Sequence, residues 1–161
     1  MAIPIYLWLE DDSGMMVRGS VDVKGREGSI ELSNSMHSVM LPIDDYTGKI
    51  MGKRMHSGYA FTKEIDSSSP YLYQALISGK RFRKASFSFY TINYAGQEEE
   101  YFRVTLEHVT VSSISSFFLD IKEELFAKYT HHELVELMYE KISWHYLDGN
   151  IVHSDSWSGG A

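Results

Sequence analysis

The sequence predicts a mainly β protein that carries one α-helix, and three observations lead there. Aromatic residues make up 14% of the chain, with eleven Tyr and eight Phe, and such side chains suit pleated, half-buried surfaces. Apolar and polar residues alternate along several short stretches, the period-two signature of strands. A helix start, an apolar stripe at helical spacing and a helix stop come together most clearly over about 70–78.

The 161 residues fit one domain, since one domain per roughly 150 residues is the ordinary expectation. We assign 1–157 to it and 158–161 to a flexible tail. A hydrophobic content of 43% supplies enough side chains for a core. Fifteen Lys and Arg against twenty-two Asp and Glu give a net charge of −7, and such a chain repels phosphate backbones. Nucleic acid is therefore excluded as a partner. The chain has no Cys, so disulfides, thiolate zinc sites and cysteine nucleophiles are excluded too. The first residues, MAIPIYLWLEDD, lack a basic n-region, which argues against a cleaved leader. No stretch approaches the roughly 20 apolar residues that span a bilayer, so no membrane insertion is expected.

Ile3 to Leu9 is apolar and aromatic and is followed by the turn residues Asp11-Asp12-Ser13-Gly14; it reads as a buried strand. Val17 to Val23 reads as a second. From Ile30, the residues Ile30, Leu32 and Met36 fall on one face, and Glu31, Ser33, Ser35 and His37 on the other. Pro42 to Gly58 shows little periodicity and reads as a long loop, a kind of segment that often carries function. Tyr59 to Ile65 resumes as a strand. In the helix Ser69 is the expected cap and Pro70 the first helical residue. Leu72, Ala75 and Leu76 form its apolar stripe, Gly79 stops it, and Lys80 and Arg81 complement its carbonyl end.

Ala85 to Tyr90 and Tyr101 to Ile114, joined by a turn at Asn93 to Gln97, form a hairpin signature. In the second arm Phe102, Val104 and Leu106 have one parity, whereas Val109 and Val111 have the other. A bulge or two-sided burial accounts for that switch. Leu134 to Leu147 switches likewise, and such two-faced strands usually bury one face against a partner. Asp120 and Glu123 suit the cap of a short helix bearing Ile121, Leu125 and Phe126, but 115–132 suits extended structure equally. Ile151-Val152 begins a last strand, which frays beyond Trp157.

Candidate chemistry is thin. His131-His132-Glu133 begins like a zinc-peptidase helix, but Glu136 stands where the second ligand should be. His153, Asp155 and the serines beside them offer the residue types of a nucleophilic triad without the rigid, water-excluding site it needs. Gly79-Lys80 lacks the remainder of a phosphate loop. Lys80, Arg81, Arg83 and Lys84 form the basic cluster, read as helix-end cations and partners for acidic groups. No catalytic, cofactor-binding or metal residues are assigned, and no enzymatic activity is expected.

Taken in order, MAIPIYLWLEDDSG, GSVDVKGREGSIEL, FTKEIDSSSPYLYQAL, AGQEEEYFRVTLEHV and YEKISWHYLDGNIVHSDSW resemble the hemolysin-coregulated proteins (Hcp), tube subunits of the bacterial type VI secretion system. The resemblance runs from Met1 to Trp157. It implies a compact barrel of two antiparallel sheets with one flanking helix. It also implies a homo-oligomer: hexameric rings stacked into a hollow tube, expelled by a contractile sheath behind a spike protein, with effector proteins carried in the lumen. The protein would then be cytoplasmic before firing and extracellular afterwards, without a leader. By the same resemblance the loop after the third strand reaches a neighbouring subunit. Its candidate residues are Asp44, Asp45, Tyr46, Thr47, Lys49, Met51, Lys53 and Arg54. Glu31, Ser33, Ser35 and His37 are the candidate lumen face. Phe117 to Tyr129 is more apolar than the family pattern and suits either a helix sealing the barrel or a patch for a specific partner. Two other readings remain open: a monomeric ligand-binding β-barrel, which needs a large apolar cavity, and a secreted hydrolytic effector.

Overall fold

The structure is a computed structural model that describes residues 2–158. The expected tail beyond Ser158 therefore lies outside the described residues. β1 (Ile5–Glu10) buries Tyr6, Leu7 and Leu9. Asp11 then turns the chain by accepting the amides of Ser13 and Met15 at 3.0 and 2.9 Å, and β2 (Met16–Val17) pairs back on β1.

The strand expected over Val17 to Val23 stops at Val17. From there the chain bonds to its own return, Gly19 N to Gly28 O at 2.9 Å and Gly28 N to Val21 O at 2.8 Å. A Cβ on Gly19 would stand 2.4 Å from the Ser29 carbonyl oxygen, so only glycine permits this approach. Arg26 clamps the loop: its guanidinium lies 4.7 Å from the Tyr6 ring and 4.2 Å from the Tyr90 ring, and pairs with Glu98.

β3 (Ile30–Met36) starts with the expected alternation, burying Ile30 and Leu32. A register shift between Leu32 and Asn34 then reverses its faces. Met36 is consequently 75% exposed, against its expected inward placement. β4 (Val39–Met40) precedes the segment read as a loop, Pro42 to Gly58, which itself contains β5 (Met55–His56); the two pair as a separate two-stranded sheet. β6 (Tyr59–Glu64) follows as expected.

Helix α1 (Ser69–Ser78) contains Pro70 in its first turn and ends at Gly79, whose φ of 71° is the left-handed conformation of a helix stop. It lays Leu72 and Ala75 into the core. Its cap differs from expectation. Asp66 Oδ1, rather than Ser69, accepts the Ser68 amide at 2.8 Å. Ser69 is buried and bonds Lys63 and Glu133, each at 2.9 Å. Lys80 and Arg81 are not in the last turn, and Arg81 pairs with Glu140 instead.

β7 (Phe82–Ile92) and β8 (Glu98–Phe117) form the expected hairpin. Asn93 Oδ1 accepts the amides of Ala95 and Gln97 at its turn. The parity switch in β8 falls at His108, where φ is 53°. There β8 leaves β10 and begins to pair with β9. The apparent single stretch Leu134–Leu147 is two strands, β9 (His132–Met138) and β10 (Lys141–Tyr146), divided at Tyr139-Glu140. β11 (Ile151–Ser156) follows as the last strand. Between β8 and β9 no capped helix forms: a single 3-10 turn spans Glu124–Phe126, and Phe118, Ile121 and Leu125 stay exposed.

All strand pairs among the described residues are antiparallel. The order β8-β7-β1-β3-β6-β9 returns to β8, closing a six-stranded barrel, and β10 and β11 extend the sheet beyond β8. Closure removes the open edges of these six strands, whereas β11 keeps one beyond the barrel. Leu7, Leu9, Ile30, Leu32, Phe61, Phe87, Leu106 and Leu137 fill the interior, and α1 covers part of β8. The mainly β fold with one helix, and the barrel expected from the resemblance, are both present.

Candidate assembly surface

The segment 39–56 is a projecting hairpin arm. Register pairs join Val39 to His56 and Met40 to Met55, and a bridge joins Ile43 to Ile50. Met51 N donates to Pro42 O and Asp44 N to Lys49 O, both at 2.8 Å. At the tip Asp44 Oδ1 accepts the amides of Tyr46 and Thr47 at 2.8 and 2.9 Å. The Thr47 amide and then that of Tyr46 hold this carboxyl below its ordinary range. Gly48, at φ 71°, completes the turn.

The side chains of the arm explain its interest. Tyr46 is 99% exposed, and Met40, Ile43, Ile50, Met51 and Met55 are all more than half exposed. A run of large apolar side chains in water marks an interaction surface. Asp45, Tyr46, Thr47, Lys49, Met51 and Lys53 lie exposed on the arm, whereas Asp44 organises its turn. Arg54 is not at the tip but pinned at the base. The sequence reading missed Met40, Ile43, Ile50 and Met55. The signal lay in apolar residues placed symmetrically about Asp44-Asp45-Tyr46-Thr47-Gly48, the pattern of a hairpin.

At the base of the arm Arg54 donates two bonds to the Asp155 carboxylate of β11, at 2.5 and 2.7 Å, and His56 Nε2 lies 2.8 Å from the same group. Arg54 first, and His56 after it, hold the Asp155 carboxyl far below the usual carboxylate range. His56 Nδ1 is 3.0 Å and His37 Nε2 is 2.6 Å from the Tyr139 hydroxyl, which donates to the Ser57 carbonyl at 3.1 Å. Burial pushes the Tyr139 phenol upward. Trp157 stacks on His56 with ring centroids 5.7 Å apart. Asp155 is thus an arm anchor and not part of a triad; Ser154 bonds Ser143 at 2.7 Å and His153 stacks on Trp144. Likewise Glu133 faces Lys63 across the strands, 2.7 Å away.

The expected polar face of β3 is divided by its register shift. Glu31 and Ser33 point into solvent, but Ser35 is half-buried and His37 packs against Tyr59, Tyr139 and Trp144. Burial first, and the neighbouring His56 second, lower the His37 pKa from 6.5. The fold therefore favours neutral His37. This contribution is complete above pH 6.5 and is lost as pH falls through the lowered folded value. The melting temperature of the wild type should accordingly drop between about pH 7 and 5 more steeply than that of His37→Gln. Equal slopes would mean that His37 is not part of the acid response.

The fold and the arm together define a closed antiparallel β-barrel protein with a projecting, apolar-rich hairpin. The family model described as "Type VI secretion system effector, Hcp" matches residues 6–146. The "Major exported protein" of Pseudomonas aeruginosa is 31% identical over 139 residues, covering 86% of this chain and 81% of that one. The structure of the Hcp1 protein from E. coli EAEC 042 superposes with a TM-score of 0.87 at 51% identity, covering 97% of this chain and 99% of that one. A further Hcp crystal structure, at 23% identity and a TM-score of 0.88, shares the fold over 98% of this chain and 99% of that one. The chain belongs to the Hcp family of the type VI secretion system.

Proposed function

We propose that this protein is a structural subunit of the type VI secretion tube. Six copies close a ring, rings stack into a hollow tube, and a contractile sheath expels the tube behind a spike. Effector proteins ride in the lumen. The subunit works without cofactor or catalysis, is cytoplasmic before firing, and is extracellular afterwards. Family membership supports this reading, and the observation that carries it is the arm, which holds large apolar side chains in water where a monomeric protein would bury them. A monomeric ligand-binding barrel would need an apolar cavity, whereas Tyr59, Phe61 and Phe87 pack ring on ring inside this one.

The arm is proposed as the ring-to-ring contact. Deleting Thr47 to Arg54 would also remove the Arg54–Asp155 anchor, so substitution is the cleaner test. The triple variant Tyr46→Ser/Ile50→Ser/Met51→Ser should melt within a degree or two of the wild type, because exposed positions contribute little to folding. Negative-stain images should show rings without stacks. Unaltered stacking would sink this role for the arm.

Glu31 and Ser33 are the proposed lumen face on β3. Glu31→Lys should leave ring size unchanged and alter which effectors co-purify with the rings. An unchanged effector profile would remove these residues from the cargo surface.

A further inference from the structure

β11 is the last strand of the sheet and, among the described residues, is paired along one flank only, to β10. Its hydrogen-bond phase follows from Trp157 N donating to Glu140 O at 2.8 Å, in continuation of the register Lys141↔Ser156. Antiparallel ladders alternate, so Asp155, His153 and Ile151 direct their backbone groups toward β10. Val152, Ser154 and Ser156 direct theirs outward, where no strand of the described residues receives them. Edges are ordinarily protected by Pro, Lys, a bulge or a covering loop. Ile151–Ser156 contains no Pro or Lys, pairs without a register shift, and places Ile151 and Val152 more than half exposed.

A second observation, on a different part of the chain, complements this edge. The sequence of Val17 to Val23 is strand-like, yet the fold pairs only Met16–Val17 as β2. Beyond it Gly19 N and Val21 N donate to Gly28 O and Ser29 O, at 2.9 and 3.3 Å. Between and beyond these donors Ser20 and Asp22 are exposed and make no backbone hydrogen bond among the described residues, whereas Arg18 O already accepts the Ser67 hydroxyl at 2.8 Å. One chain therefore offers an unprotected edge and a strand-prone segment with one satisfied flank, at two different places. Two unlike patches of the same chain that fit each other make a head-to-tail contact, the kind that generates rings.

We propose that the outer flank of β11 docks the Gly19–Val23 segment of a second copy, which adds as a strand and continues the sheet from one subunit to the next. This rests on the ring reading above and specifies the contact within the ring. The interaction is backbone addition to a sheet edge. Its occupant is another copy of this chain, because the segment that lacks a partner strand is its own.

Two kinds of variant test it. Ser154→Pro removes an outward amide while leaving the β10 ladder intact. By light scattering it should convert rings into monomers whose circular dichroism matches the wild type. The chain has no native Cys, so any disulfide between copies must come from introduced residues. Cysteine at Ser20 or Asp22, combined with cysteine at Val152 or Ser154, gives four double variants. At least one should form, on mild oxidation, a covalent ladder extending to six copies, while each single variant stops at dimers. If the wild type forms rings but none of the four cross-links beyond the dimer, the β11 contact is overturned and the ring reading stands. If the wild type is monomeric, the ring reading itself has failed and the contact falls with it. A folded Ser154→Pro protein that still forms rings also overturns the contact. Should that variant not fold, the cysteine pairs alone decide, by the same two outcomes.

Discussion

Replacing Glu133 by alanine should lower the unfolding free energy by about 3–5 kcal/mol, because it strands a buried ammonium. Lys63 and Glu133 are register partners across β6 and β9, both fully buried, with Nζ 2.7 Å from Oε1. Ser69 at the start of α1 donates to the same carboxylate. The variant leaves Lys63 with Asp66 at 3.1 Å and the Ser69 hydroxyl, so the loss should fall toward the lower end of that range. The network is also incomplete, since Glu133 Oε2 is buried with no hydrogen-bond partner among the described residues. Desolvation of that oxygen is uncompensated, and replacing both ions by apolar residues of similar volume is often neutral or stabilising. Lys63→Met/Glu133→Leu should therefore recover most or all of the stability lost in Glu133→Ala. Urea unfolding measures both. A loss under about 1 kcal/mol for the single variant, or a double variant weaker than the single, would contradict the account of this pair.

Phe87→Ala should cost a comparable amount, about 3–5 kcal/mol, by opening a cavity at the centre of the barrel. Phe87 is fully buried on β7, opposite Leu7 of β1 and Val104 of β8. Its ring centroid lies 4.2 Å from that of Tyr59 and 5.7 Å from that of Phe61. The neighbours are strand residues fixed by ladders on both flanks, so they can collapse little into the space. Tyr59 is itself buried, and that burial pushes its phenol up to about 12. Phe87→Leu keeps most of the volume and should lose less than half as much. The denaturant slope should be unchanged in both variants, since the surface exposed on unfolding is nearly the same. A shallow loss for Phe87→Ala would mean that the barrel closes around the gap.

The fold was legible where local pattern and tertiary demand agree. Alternation at Ile30–Leu32, the Pro70 and Gly79 boundaries of the helix, and the Asn93–Gln97 turn each led to the element that forms. Parity switches were informative too: the one in β8 marks His108, where the strand exchanges partners. The other, within Leu134–Leu147, marks a break between two strands and not a two-faced one, because a run of apolar residues does not show where a chain changes neighbours. The strand expected at Val17–Val23 carried the right propensity, but beyond Val17 the chain bonds its own return loop and the Ser67 hydroxyl instead of a neighbouring strand.

Candidate residues divided on similar lines. The arm was visible as a long segment of turn formers, and Asp45, Tyr46 and Thr47 lie exposed at its tip. Its apolar ridge was not, since Ile43 and Ile50 acquire meaning only once they bridge. Arg54 was placed by its position in the loop and His37 by the alternation that starts at Ile30. Arg54 is drawn to the base of the arm by the carboxylate of Asp155, distant in sequence, and His37 is turned inward by the β3 register shift. Neither cause is announced by the residues on either side.

The central claim is that this barrel is one subunit of a closed ring. The most direct test is the mass of the purified protein in solution by light scattering after gel filtration, with negative-stain imaging of the same peak. The account predicts six copies per particle and open rings that stack at high concentration; a clean monomer across that concentration range would contradict it.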